Sequence, residues 1–369
     1  MRFSVTKKEM MRGLQTVLNV VPQRTTFPIL SNVLVDAQEE GLTLSATDLD
    51  ISISTKVSAG VKERGCVTVA AKRVSEITRE LPDGEIEVSE KEDRVTITGG
   101  RSVFRLGGVP KLEFPELPGI AKKNYMTIEA SLLSKAIEKT AFAASADEMR
   151  PVLSGVLWHI GKAETRMVAT DGHRLALYKI RHPTVVERDT EVNVPPKALY
   201  LISRVASEQG SVEVRFEEAR IGFYVDTTEI TARLVEGDFP DYEQVIPKDN
   251  DKIMNVSRES LMSAVRRVSI FANPNTHLTR LSLRKGKLEL FSETIEIGEA
   301  RDEIPCDYKG EDLDIGYNAN YLLEILKKLE SEEVTVALST GLSAGLITPR
   351  NEAKDEELLY LLMPIRLLD

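Results

Sequence analysis

The sequence predicts an α+β fold made of three copies of one unit, each carrying two helices on one face of a mainly antiparallel sheet. Two observations predict it: stretches of chain recur at a near-constant spacing, and within each recurrence helical periodicity alternates with short β-branched runs. "FPILSNVLV" at 27–35 returns as "RPVLSGVLW" at 150–158, and "LSATDLDISI" at 44–53 as "MVATDGHRLA" at 167–176, both 123 positions on. Later in the unit, "AAKRVSEITREL" is matched by "PPKALYLISRVA" and "FPEL" by "FPDY", both 125 positions on. A weaker third copy follows, with "SLMSAVRRVSIFA" at 260–272 answering "SLLSKAIEKTAFA" at 131–143 and "ELFSETIEIG" at 289–298 in the place of the ATD strand.

The elements follow in order within each copy. Met10, Leu14, Val17, Leu18 and Val21 recur at helical spacing near the start, as do Val74, Ile77 and Leu81 at mid-unit. Between and after them lie alternating runs bounded by turn residues, such as "LTLSATDLDISIST", "EIEVSE", "RVTITGG", "SVEVRF", "KLELFSETIEIG" and "EVTVAL". About eight strands per copy result. "PELPGIAKKN" and "VIPKDNDK" carry Pro and Gly and end the first two units, giving expected domains 1–120, 124–247 and 251–369. "RLGGVP" and "ITGGRS" read as turns between strands, and "GLSAGLITPRNEAKDEE" reads as loop.

The balance of 42% hydrophobic and 29% charged residues over 369 positions is that of a globular protein with more than one core. "MRFSVTKKEM" has no apolar core of signal-peptide length, and no run approaches the roughly 20 apolar residues of a membrane helix, so a cytoplasmic location is expected. Cys66 and Cys306 stand far apart without CxxC spacing and read as free thiols. His159, His173, His182 and His277 show no metal-ligand spacing, and there is no P-loop, dinucleotide fingerprint, HExxH or nucleophile elbow. Neither cofactor nor metal is expected.

The net charge of -10 argues by itself against a nucleic-acid partner, yet the charge is unevenly placed. Six helical windows, 7–19, 72–81, 132–143, 196–208, 258–271 and 318–329, total +8 against that -10, leaving -18 elsewhere. Basic helices gathered on one face would attract phosphates without reading sequence.

Asp171 and His173 in "TDGHRLAL" form the one acid–base candidate, and a hydrolase using them is an alternative reading. Thr47 and Asp48 occupy the equivalent positions of the first copy, so Thr170 and Asp171 read as structural residues of a strand end or turn. Only Gly172, His173 and Arg174 replace Leu49, Asp50 and Ile51, which marks a site peculiar to the middle copy. A monomeric DNA-binding scaffold is the other alternative.

"ATDGHRLAL", "FPDYEQVIP", "TTFPILSNVLV" and the terminal "YLLMPIRL", in order along the whole chain, resemble the bacterial DNA polymerase III beta subunit, the beta sliding clamp family. The resemblance implies three clamp domains per chain and a head-to-tail homodimer closing a ring around duplex DNA, with helices lining the hole. It also implies a non-catalytic processivity factor of DNA replication that contacts the polymerase alpha subunit, the clamp loader, other polymerases and repair proteins through short peptides. The peptide groove it implies comprises Leu153, Thr170, Gly172, His173, Arg174, Leu175, Pro240, Val245, Leu361, Met363 and Arg366. His173 and Arg174 would be polar edges fixing peptide register, with Leu175, Val245 and Met363 supplying apolar surface. It further implies a dimer interface of Phe104 and Leu106 against Ile270 and Phe271, and DNA contacts at Arg24, Arg73, Arg79, Arg150 and Lys197. Leu368 and Asp369 extend beyond the terminal MPxRL of many clamps and are expected to alter the groove's peptide preference.

Overall fold

The structure, a computed structural model, describes residues 1–181, 189–207, 209–351 and 354–367. His182, Leu368 and Asp369 lie outside the described residues. Each copy carries two α-helices: α1 (Lys7–Leu18) and α2 (Ala71–Glu80), α3 (Ala130–Thr140) and α4 (Pro196–Val205), α5 (Arg258–Val268) and α6 (Ala319–Lys328).

Three of the helices begin where a side chain satisfies a free N–H group. Thr6 caps α1 by accepting from the Glu9 amide, Ser257 caps α5 through the Ser260 amide, and Asn318 caps α6 through Asn320 and Tyr321. One face of each is apolar and buried: Met10, Leu14 and Val17 on α1, Leu261, Val265 and Val268 on α5, and Leu322, Ile325 and Leu326 on α6. Each such side chain contributes about 1.5–3 kcal/mol by leaving water, so the buried face rather than propensity holds the helix. A Cβ on Gly13 would meet Val57 at 2.5 Å and Leu44 at 2.9 Å, so the glycine lets α1 lie close on its sheet.

By contact the chain divides into two compact units, Met1–Ser134 with Lys197–Leu234, and Lys135–Pro196 with Val235–Asp369. The first contains an antiparallel sheet of 13 strands in which Ile51–Val57 of the first copy pairs with Thr228–Arg233 of the second. The second unit contains a nine-stranded sheet, in which Arg174–Arg181 pairs with Glu356–Leu362, and a four-stranded sheet ending on Gly298–Pro305. The middle copy is thus divided because each of its half-sheets continues a neighbour's.

Two local expectations fail. "RLGGVP" lies inside the strand Ser102–Pro110, because Gly107 and Gly108 extend along the ladder to Arg94 and Val69 instead of turning. Within the expected loop after 341, Gly345–Pro349 forms a strand between Glu333–Leu338 and Glu356–Leu362. Ladder bonds on both sides outweigh the Gly and Pro of that segment. Among the described residues no helix is long and apolar enough to cross a membrane.

Candidate functional site

Two turns of the same construction stand at equivalent points of the first two copies. In the first, Thr47 Oγ1 donates to the Ile51 carbonyl and accepts from the Leu49 amide, while Asp48 Oδ1 accepts from the amides of Asp50 and Ile51. In the second, Thr170 Oγ1 donates to the Arg174 carbonyl and accepts from the Gly172 amide, while Asp171 Oδ1 accepts from the amides of His173 and Arg174. The third turn residue has positive φ in both, +83° at Leu49 and +89° at Gly172. Gly172 meets that need without strain, and its missing Cβ also leaves room for the Arg150 guanidinium, which would otherwise lie 2.6 Å away.

This construction removes the dyad. The Asp171 carboxylate is engaged by two backbone amides through Oδ1 and by the Arg174 Nε, 3.1 Å from Oδ2. The His173 ring instead stacks on Tyr321, with centroids 6.3 Å apart. No nucleophile–base–carboxylate relay joins them, and the hydrolase reading has no geometric support.

Arg174 departs from its expected part as a free polar edge. Only 7% exposed, its guanidinium donates to Asp171, to Glu324 and to the Phe142 carbonyl at 3.1 Å. It also stacks over the rings of Tyr321 (4.5 Å) and Phe142 (5.2 Å). The side chain clamps the middle copy's turn to α6 and to the end of α3. Sequence reading missed Phe142, Tyr321 and Glu324, because nothing in their local pattern distinguishes them.

Around this turn the remaining candidate residues separate by depth. Leu175 and Leu361 (each 2% exposed) sit directly opposite one another on paired strands, in a cluster with Leu157, Val168, Leu177 and Ala344. Leu153 is also buried, whereas Thr170 is half-buried. Phe239, Tyr242, Ile246, Leu346 and Leu359 pack partly buried against the cluster. Val245 (56% exposed) and Met363 (42%) stand out in solvent, with Gly172, His173, Pro240 and Arg366 exposed as well. The Met363 amide donates to the His173 carbonyl at 2.8 Å, tying the C-terminal segment to the turn. Buried leucines thus lie beneath a rim that exposes Val245 and Met363 beside polar His173 and Arg366. Leu177 was legible in principle, since it shares a face with Leu175 at period two, whereas Leu157 joins them only through its pairing with Val168 on another strand.

The remaining candidates stand on other segments, and of them the Arg150 guanidinium lies against Gly172 of the turn. Phe104 and Leu106 are half-buried on Ser102–Pro110, while Ile270 (74% exposed) and half-buried Phe271 form a 3-10 turn after α5. Arg24 is exposed in the loop after α1. Arg73 and Arg79 are exposed on α2, paired with Glu76 and Glu80 at 3.1 Å. Lys197, in the first turn of α4, reaches Asp48 of the first copy's turn, and Arg150 pairs with Asp147 at 2.9 Å.

Comparison with known proteins agrees with the repeat. Residues 1–118, 127–241 and 243–366 match the N-terminal, central and C-terminal domains of the DNA polymerase III beta subunit. A beta sliding clamp from Pseudomonas putida is 35% identical over 373 residues, and one from Chlamydia muridarum 33% over 370, each covering 100% of both chains. A crystallographic sliding clamp from Bartonella birtlesii bound to griselimycin superposes with a TM-score of 0.94 at 37% identity, again over 100% of both chains. With three domain matches in register and full-length relatives above 30% identity, the chain belongs to the DNA polymerase III beta subunit family.

Proposed function

We propose that this chain is a DNA sliding clamp, the non-catalytic processivity subunit that keeps a replicative DNA polymerase on duplex DNA, acting in the cytoplasm as a head-to-tail homodimer. The observation that carries the reading is the strand pairing between copies. Thr47 and Thr170 face Ser52 and Leu175 across the hairpin, and these face Thr231 and Leu361 of the following copy, the same register twice. A third such edge, Gly298–Pro305, ends its sheet, and residues 102–107 are unpaired on one side among the described residues. A second copy continuing the pattern would set Glu299 opposite the partner's Arg105 and Arg301 opposite the partner's Val103. Phe104, Leu106, Ile270 and Phe271 then lie at the seam. Open edges otherwise invite aggregation, so their closure between two chains gives them a use.

Each of the six helices carries net positive charge in a chain of net charge -10. Helices turned toward DNA would exchange the carboxylates now beside Arg73, Arg79 and Lys197 for phosphates, and Arg150 and Arg24 are further contacts of the same kind. The surface around Leu175, Leu361, Val245 and Met363 takes the short apolar peptides of the polymerase alpha subunit, the clamp loader and repair proteins. The test is retention on nicked circular DNA at high salt after loading, compared with the same DNA linearised. A clamp stays on the circle and leaves the linear form, since salt has screened simple phosphate binding. Equal loss from both, with a control clamp retained, refutes encirclement and leaves a DNA-binding scaffold.

A further inference from the structure

The two junctions between copies share a backbone plan but not a chemistry. Ladder pairing, not sequence similarity, fixes their correspondence: Ser45, Ser52, Ser54 and Thr231 of the first junction occupy the positions of Val168, Leu175, Leu177 and Leu361 of the second. Gly222, opposite Thr231, stands where Leu346 stands opposite Leu361. These apolar positions of the second junction are thus replaced by hydroxyls or by hydrogen, and Leu359 by Glu229, although Leu34 matches Leu157 unchanged.

The serine hydroxyls are satisfied within the junction. Ser45 and Ser54 share a 2.8 Å hydrogen bond, and Ser52 Oγ donates to Thr47 Oγ1 at 3.0 Å. The first junction nevertheless holds an open cleft of about 310 Å³, bounded by Leu49, Ser52, Pro115, Arg220, Thr231 and Arg233. Room is available there, so the difference between the junctions lies in what lines it.

We infer that Ser45, Ser52, Ser54 and Thr231 are specificity determinants that keep apolar peptides out of the first junction and confine docking to the second. This rests on the peptide-groove reading above. An apolar side chain laid on the first junction meets serine hydroxyls that already bond within the junction and little carbon surface, so it gains little by leaving water there. Leu49 adds a half-exposed side chain at the point where Gly172 has none and the Arg150 guanidinium stands instead.

The test uses the full chain with a pentapeptide of leucine, phenylalanine and serine bearing a photoreactive diazirine, followed by peptide mapping of the labelled sites and by titration. The wild-type chain is expected to label at 170–177, 239–246 and 359–363 only, with affinity at the first junction at least ~100-fold weaker. Ser52→Leu with Thr231→Leu, and the same pair with Ser45→Val and Ser54→Leu, are expected to add labels at 45–54, 114–118 and 229–233. Binding then rises from one peptide per chain to two. The double variant guards against misfolding of the quadruple one, with circular dichroism and melting temperature checked for each. First-junction labelling of the wild type within ~10-fold of the second overturns the proposal, as does a folded double variant that gains no second label. Labelling of neither junction refutes the groove reading itself and this inference with it.

Discussion

Arg174→Ala is expected to destabilise the unit that contains it by about 2–4 kcal/mol. The figure follows from the contacts. The guanidinium donates to Asp171 and to the Phe142 carbonyl, both at 3.1 Å, and to Glu324. Glu324 is half exposed and regains water in the variant, so that bond counts for little. Asp171 keeps its two backbone amides through Oδ1, so its charge is not stranded. What remains is roughly 2–4 kcal/mol from two buried charge-assisted bonds and about 1 kcal/mol from stacking on Tyr321 and Phe142. Side-chain entropy regained on truncation offsets about 1 kcal/mol. Urea denaturation followed by circular dichroism reads the loss, with peptide titration run beside it. Arg174→Lys keeps the charge without the planar fork and should lose about half as much. An alanine variant within ~0.5 kcal/mol of wild type but defective in peptide binding would refute the reasoning, since the guanidinium would then serve the ligand rather than the fold.

Two further outcomes are expected. Arg301→Cys with Val103→Cys in one chain should give a covalently closed dimer on mild oxidation, visible on non-reducing gels, whereas Ala300→Cys with Val103→Cys should cross-link poorly; equal yields would refute the register. Burial first and the neighbouring Asp36 second push the Cys66 thiol up to about 11, so below that pH it is neutral and alkylation at pH 8 should run roughly 100-fold slower than for a small free thiol. The rate should climb about tenfold per pH unit toward 11, and a rate like that of glutathione at pH 8 would show that the burial is not real.

The repeat made most of the fold legible in the sequence. Thr47–Asp48 and Thr170–Asp171 announce the same turn because their side chains make the turn's hydrogen bonds, and short polar acceptors are scarce enough to be noticed. The 3.6-residue spacing of Met10, Leu14 and Val17 appears in the buried face of α1 for a similar reason. The strand Gly345–Pro349 was not legible, because what makes it a strand is pairing with segments on either side, one of them across a turn. The role of Arg174 was hidden for a related cause. An arginine beside a groove and an arginine under it read alike until Phe142 and Tyr321, both distant in sequence, are brought against its two faces. The serine-for-leucine exchange between junctions needed the ladder register, since a one-residue slip would have matched inward with outward residues.

The Thr-Asp turn also bears on how such a protein diversifies after duplication. Since Thr and Asp provide the side-chain acceptors and donor that hold the loop, the two residues that follow contribute only backbone amides to it. The side chain of the fourth residue is released from the turn's own bonding, while the third keeps a positive φ that glycine meets without strain. One copy has kept Leu49 and Asp50 and the other has taken Gly172 and His173, on nearly superimposable bonding. A self-sufficient turn of this kind is a neutral plot in an otherwise constrained chain, where a duplicated domain acquires a new surface without first losing the old fold.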